Sequence, residues 1–209
     1  MDGKWLLGGA VVVVLIVLFW GIKVYNQLVR LRNLKEEGWS GVDVQLKRRH
    51  DLVGNLVASV KGAMEHERGV LEAVTRYRAM SQSAAGVANT AKAEGELSMA
   101  LGRLFAVMEN YPNIQANQNI MSLQSELANL EGAIETARRY YNATARNLNI
   151  VIESFPSLII AGIFKFSKAE FFEIVLEQER QAPVVSLSDG PTQPSSMPTS
   201  GSDNTSAGL

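Results

Sequence analysis

Charge vanishes from the chain between Lys4 and Lys23, leaving 18 apolar or neutral residues from Trp5 to Ile22. As a helix that run reaches ~27 Å at ~1.5 Å per residue, against a hydrocarbon core of ~30 Å. Trp5 and Trp20 stand near its two ends, where indole rings favour the headgroup region. A cleaved signal peptide would carry ~7–15 apolar residues before a small-x-small cleavage site. Gly21-Ile22-Lys23-Val24-Tyr25-Asn26 offers none, so the pattern predicts a retained transmembrane signal anchor over residues 1–23. A buried helix of a soluble protein is the competing reading of so short a run.

Past Val24 the spacing turns amphipathic without a break. Val24, Leu28, Leu31, Leu34, Val42, Leu46, Val53, Leu56, Val60, Met64, Leu71 and Val74 recur at helical intervals, which predicts one long helix. No proline interrupts it before Pro112, although Gly38, Gly41, Gly54 and Gly62 each weaken it by up to ~1 kcal/mol relative to Ala. Ser81 to Gly86 reads as a turn. A second helix fits Lys92 to Asn110, with Leu97, Leu101, Leu104, Phe105 and Met108 on one face, closed by Tyr111-Pro112-Asn113. A third fits Asn117 to Glu153, striped by Ile120, Leu123, Leu127, Leu130, Ile134, Ala137, Tyr141, Leu148 and Ile152. Strand-type alternation is absent. The fold class is therefore all-α: an N-terminal transmembrane helix continuing into an antiparallel three- to four-helix bundle over residues 24–181.

Phe155-Pro156 ends the third helix, and an apolar run containing Leu158, Ile159, Ile160, Ile163 and Phe164 follows. It is too short to span a bilayer and reads as a satellite packed on the bundle, with a membrane-lying or partner-binding segment as the alternative. A short helix over Lys168 to Gln181 would turn Phe171, Phe172 and Val175 inward. Residues 182–209 are rich in Pro, Ser, Thr and Gly, carry charge only at Asp189 and Asp203, and read as a disordered tail.

Composition then removes whole classes of function. Twenty Lys+Arg against 21 Asp+Glu leave a net charge of -1, which argues against a general nucleic-acid binder. The absence of cysteine excludes disulfides, thiol nucleophiles and thiolate metal sites. His50 and His66, on one helix, would point ~160° apart and lie ~24 Å apart along its axis, so they share no ion. A solvated or helix-packing role suits each. Glu36-Glu37, Glu65/Glu67 and Glu94/Glu96 stand next to each other or two apart, point to different faces, and read as solvated surface. No phosphate-loop, dinucleotide or nucleophile-elbow phrase occurs. The residues thus point to no catalytic group, metal, cofactor or small-molecule substrate. The basic cluster Lys47-Arg48-Arg49-His50 reads as pairing with acids on neighbouring helices, with contact to a partner or to acidic lipid headgroups as the alternative. Lys23, Arg30, Arg32 and Lys35 follow the span and only Lys4 and the α-amino group precede it, which favours a cytoplasmic bundle.

Tyr25-Asn26-Gln27-Leu28-Val29-Arg30, Trp39-Ser40 and Asp43 to Val53 begin a series continued by Asn55-Leu56-Val57, Val60-Lys61-Gly62, His66-Glu67, Tyr111-Pro112, Ala137-Arg138, Tyr141-Asn142, Ser154-Phe155-Pro156 and Ile160-Ala161-Gly162. In order and spacing this series resembles the LemA family. Two positions depart from it: Gly54 stands where the family usually has Pro, and Leu148-Asn149 where a second Tyr-Asn is common. The resemblance implies a bacterial inner-membrane protein with one N-terminal span, a helical bundle and no established enzymatic activity. It also implies special roles for Trp39, Asp43, Arg48, Arg49, Asp51, Asn55, Tyr141 and Asn142, for which an inter-helix polar network is the physical expectation. The overall reading is a self-associating scaffold or adaptor whose partners are the lipid bilayer, further copies of itself, or a membrane or cytoplasmic protein. A relative within the family helps to build magnetosome membranes, so membrane remodelling is the alternative. A metal-dependent or other sensor is the third reading, and requires His50 or His66 to meet acids from other helices.

Overall fold

The computed structural model describes residues 3–173, with side chains from residue 8 onward, and every regular element in that range is helical. The expectation of a disordered tail from residue 182 lies outside the described residues. Helix α1 runs unbroken over Gly3–Val60, a single 3₁₀ turn covers Glu65–Glu67, and α2 (Arg68–Ser83) and α3 (Val87–Met108) form a hairpin. A one-turn α4 (Pro112–Gln115) leads into α5 (Gln118–Glu153), and α6 (Ser157–Ile163) follows.

Local chemistry marks three of these ends. Gly86 takes φ +85° between α2 and α3, a region where a Cβ is unfavourable. Pro112 opens α4, where a missing N–H costs nothing. The Asn117 Oδ1 accepts from the amides of Asn119 at 3.0 Å and Ile120 at 3.4 Å, capping α5.

The antiparallel pair α1 and α5 is the spine. At Gly38 the two helices come close enough that a Cβ would lie 3.2 Å from the Tyr141 Cα and from the Thr144 Oγ1. The α2–α3 hairpin lays Leu71, Val74, Leu97, Leu101, Leu104 and Met108 against Val42 to Val60 of α1 and Ile120 to Ala145 of α5. A smaller cluster nearer the N-terminus joins Val24 and Leu28 to Leu148 and Ala161. Residues Val11 to Phe19 of α1 are exposed throughout, and α1 is, by length and composition, a helix long and apolar enough to cross a membrane.

Two expectations change. The first long helix does not reach Val74: it ends at Val60, and Val60 and Met64, both fully buried, hold the reversal into α2. Nor does Lys168 begin a helix: Phe164 and Lys165 turn out of α6, and residues 166–173 form a tape along α5 without regular secondary structure. Side-chain amides hold that tape. Asn149 bonds the Ala169 N–H through Oδ1 at 2.7 Å and the Ala169 carbonyl through Nδ2 at 2.9 Å. Asn142 treats Phe172 in the same way at 2.9 and 3.2 Å. The spacing matches: seven residues of helix rise ~10.5 Å and three extended residues span ~10 Å. Phe172 is buried as expected, whereas Phe171 is exposed and Val175 lies outside the described residues.

Candidate functional site

A single polar layer crosses the apolar core, and each of the four long helices supplies a side chain. Arg49 (α1) is 2% exposed and Glu94 (α3) is fully buried. The Arg49 Nη1 donates to the Glu94 Oε2 at 2.7 Å, while its Nη2 donates to the Ser98 Oγ at 2.8 Å and pairs with the Glu131 Oε1 of α5 at 2.7 Å. The other Glu94 oxygen, Oε1, takes the His50 Nε2 at 2.6 Å and the Ser81 hydroxyl of α2. The Arg78 Nε donates to the His50 carbonyl at 2.6 Å, with its guanidinium stacked beside Gly54. One donor, the Arg49 Nε, is buried without a partner.

The electrostatics follow from these contacts. Burial alone would push the Glu94 carboxyl up. The His50 hydrogen bond, the Arg49 charge and the Ser81 hydroxyl outweigh it and hold the group below the usual carboxylate value. Glu94 is thus an anion compensated inside the core. Its carboxylate also fixes the His50 proton on Nε2, because that nitrogen faces an acceptor.

Ser81, His50 and Glu94 together invite comparison with a hydrolytic triad, and the geometry rejects it. A triad places the hydroxyl on one imidazole nitrogen and the carboxylate on the other. Here the Ser81 Oγ at 3.1 Å and the Glu94 Oε1 both meet Nε2, so no lone pair remains there to take a proton from serine. A metal ion fares no better beside Glu94, since the Arg49 guanidinium already neutralises that carboxylate. Among the described residues no group of three or more His, Asp or Glu side chains is arranged to hold a metal. Two open clefts reach the layer from outside. One, of about 530 Å³, is lined by His50 and Ser81 together with Asp43, Asp51 and Thr90; the other, of about 480 Å³, is lined by Arg49 and Glu131.

The residues singled out from the sequence divide into four groups. Arg49 joins the buried layer. Trp39, Tyr141 and Asn142 serve the tape instead: Trp39 packs on Tyr141 and Phe172, with ring centroids 5.4 and 5.7 Å apart, and the Tyr141 hydroxyl donates to the Glu170 carbonyl at 2.8 Å. Burial and the nearby Glu170 carboxylate push that phenol up, so it remains a donor. Arg48, Asp51 and Asn55 correct the expectation of one inter-helix network, being exposed and, among the described residues, without a side-chain hydrogen bond to another helix. Arg48 is one residue from Arg49 and so turned ~100° away from the core. Asp43 pairs with Lys47 on the same helix at 2.6 Å, so of the basic cluster Arg49 and His50 meet acids on neighbouring helices. His66 is exposed.

Sequence reasoning missed four side chains of the layer, Ser81, Glu94, Ser98 and Glu131. Glu94 is the plainest correction: read as solvated, it is buried because it falls in phase with Leu97, Leu101 and Leu104 on the inner face of α3. The apolar run after α5 forms α6, where Ala161 is buried and Ile160 packs beside it, while Leu158, Ile159, Ile163 and Phe164 remain exposed.

A family model described as LemA family matches residues 38–187. Magnetosome protein MamQ 2 of Paramagnetospirillum magneticum is 29% identical over 175 residues, covering 71% of this chain. Magnetosome protein MamQ of Magnetospirillum gryphiswaldense is 26% identical over 174 residues. The chain spans 64% of the length of each of these two relatives. Protein LemA of Metamycoplasma hominis is 24% identical over 158 residues, covering 71% of this chain and 72% of its own length.

Proposed function

The chain belongs to the LemA family, and from that premise we propose that it is a membrane-anchored, non-enzymatic helical scaffold or adaptor that associates with itself. One observation carries the reading. Helix α1 leaves the apolar stretch and enters the bundle core without a loop, so its first buried residues, Val24 and Leu28, stand two to six residues beyond Ile22. A helix continuous across that boundary transmits position and orientation from membrane to bundle, which a catalytic domain on a flexible tether does not need. The buried layer supports the same reading, because its charges are spent on one another and on helix register. Large apolar side chains exposed on different helices, among them Val44, Met99, Met121 and Tyr140, offer surfaces for further copies or another protein.

The place of action in this proposal is the bacterial inner membrane, with the bundle on the cytoplasmic side. Photoreactive residues at Val44, Met99 and Tyr140, crosslinked in native membranes and analysed by mass spectrometry, test the role. Adducts to the same chain support a self-associating scaffold, and adducts to one other protein support an adaptor. Freedom from protein adducts at all three positions would sink both.

The likeness to the magnetosome proteins favours a second reading, membrane remodelling. Purified protein that deforms liposomes would place it first, and unchanged liposomes would leave the scaffold. The sensor reading gains a contact it required, since His50 does meet Glu94. It then fails to explain why the acid is also held by Arg49.

A further inference from the structure

The α5–α6 hairpin carries a surface that the bundle does not use. From Ser154 to Phe164 there are 11 residues without charge. Phe155 is 79% exposed, Ile163 66% and Phe164 55%, with Leu158 and Ile159 exposed beside them. Exposed apolar residues scattered singly are ordinary, but five on one short hairpin form a patch.

Its position along α1 identifies what covers it. A Cβ on Gly21 would lie 3.6 Å from the Ile160 Cδ1, and the Phe164 ring packs on Tyr25 with centroids 4.6 Å apart. Trp20 packs on the cluster formed by Val24, Leu28, Leu148 and Ala161. The hairpin is therefore level with residues 20–25, where the uncharged stretch gives way to Lys23. Its apolar surface continues the exposed apolar surface of Val11 to Ile22.

Cations stand at the border of the patch: Lys23 over the Phe19 ring at 5.5 Å, Arg32 over the Phe166 ring at 5.5 Å, and exposed Lys165 next to Phe164. Apolar side chains bordered by Lys, Arg and aromatic rings match the boundary between acyl chains and headgroups. Resting on the reading that α1 crosses a bilayer, we infer that the α5–α6 hairpin is a second membrane contact, with Phe155, Leu158, Ile159, Ile163 and Phe164 immersed in lipid at the interface. The bundle is then held at two points, which fixes its rotation about α1 as well as its height.

The cysteine-free sequence makes the test direct. Single variants Ile159→Cys, Ile163→Cys, Val14→Cys and Ala88→Cys of the full chain are spin-labelled in phosphatidylethanolamine–phosphatidylglycerol vesicles. Collision with oxygen is compared with collision with a water-soluble nickel chelate. Oxygen exceeding chelate at positions 159 and 163, as at 14 and opposite to 88, is the expected result. Chelate exceeding oxygen at 159 and 163, with 14 still immersed, would overturn the second contact and leave the anchor standing. Exclusion of both reagents from 159 and 163 would overturn it in favour of a protein contact. A water-exposed label at 14 would remove the anchor and the inference with it.

Discussion

Glu94 is the residue on which the interior depends most. A carboxylate deep in a core survives only with compensation, and removing one partner of a buried pair typically costs ~3–5 kcal/mol. Glu94→Gln should therefore lower the unfolding free energy by about 3 kcal/mol in denaturant titrations, leaving buried Arg49 with only the half-exposed Glu131 as counter-charge. Arg49→Met combined with Glu94→Leu should cost clearly less than Glu94→Gln alone, since apolar replacements remove the desolvation penalty together with the attraction. The pH dependence follows from the lowered carboxyl. A depressed folded value makes the contribution whole above the ordinary glutamate value of ~4.3 and drains it as pH falls through the folded value. The stability gap between the parent and Glu94→Gln should therefore narrow as pH falls below the ordinary glutamate value of ~4.3; a gap that stays constant on acidification would contradict the assignment. Much of this was readable in advance. Arg49 and His50 lie at i, i+3 and i, i+4 distances from Leu46 and Val53 in the core stripe. Glu94 shares the phase of Leu97 and Leu101, but pairing it with Glu96 drew attention to adjacency rather than phase. Glu131 is half-exposed, and nothing in its local pattern marks it as the Arg49 partner.

The lengths of the elements are set by their partners. Counting 23 residues outward from the Gly38–Tyr141 approach reaches Lys61 on α1 and Gln118 on α5, one residue past the end of the first and the first residue of the second. A longer α1 would carry Leu71 and Val74 past its partner into water. Periodicity alone does not contain that information, which is why the stripe reads as continuous to Val74. The boundary of α5 was legible because Asn117 caps it and Phe155-Pro156 follows its end. The tape over residues 166–173 was not, because its two anchors are side-chain amides 20 and 30 residues away. Asn149→Ala removes both bonds to Ala169 and should speed hydrogen exchange of that amide ~10–100-fold, with the α5 interior unchanged. Equal acceleration throughout α5 would mean that the tape is part of the global fold rather than clamped onto it. Gly54 also gains a reason at this scale. A Cβ there would lie 3.0 Å from the Arg78 Cζ, whose neighbouring Nε donates to the His50 carbonyl at 2.6 Å.

For the whole molecule, the decisive property is the join between the apolar stretch and the bundle. The excess of Lys23, Arg30, Arg32 and Lys35 after the span predicts a cytoplasmic bundle. A membrane-impermeant maleimide should therefore leave Ala88→Cys unlabelled in intact spheroplasts and label it after lysis; labelling before lysis would invert the orientation. All-α architecture and the apolar N-terminal helix were legible because period and charge report them directly. The function of α6 was not, because its run fits a core, a lipid surface and a partner equally well until its level beside Gly21 is known. The central claim is that one rigid helix joins membrane and bundle. Pulsed electron-resonance distances between labels at Val14→Cys and Val44→Cys, in the full chain in nanodiscs, test it most directly. Thirty residues of continuous helix predict one narrow distribution near ~45 Å. A broad distribution centred well below that would show a joint between the two parts and contradict the account.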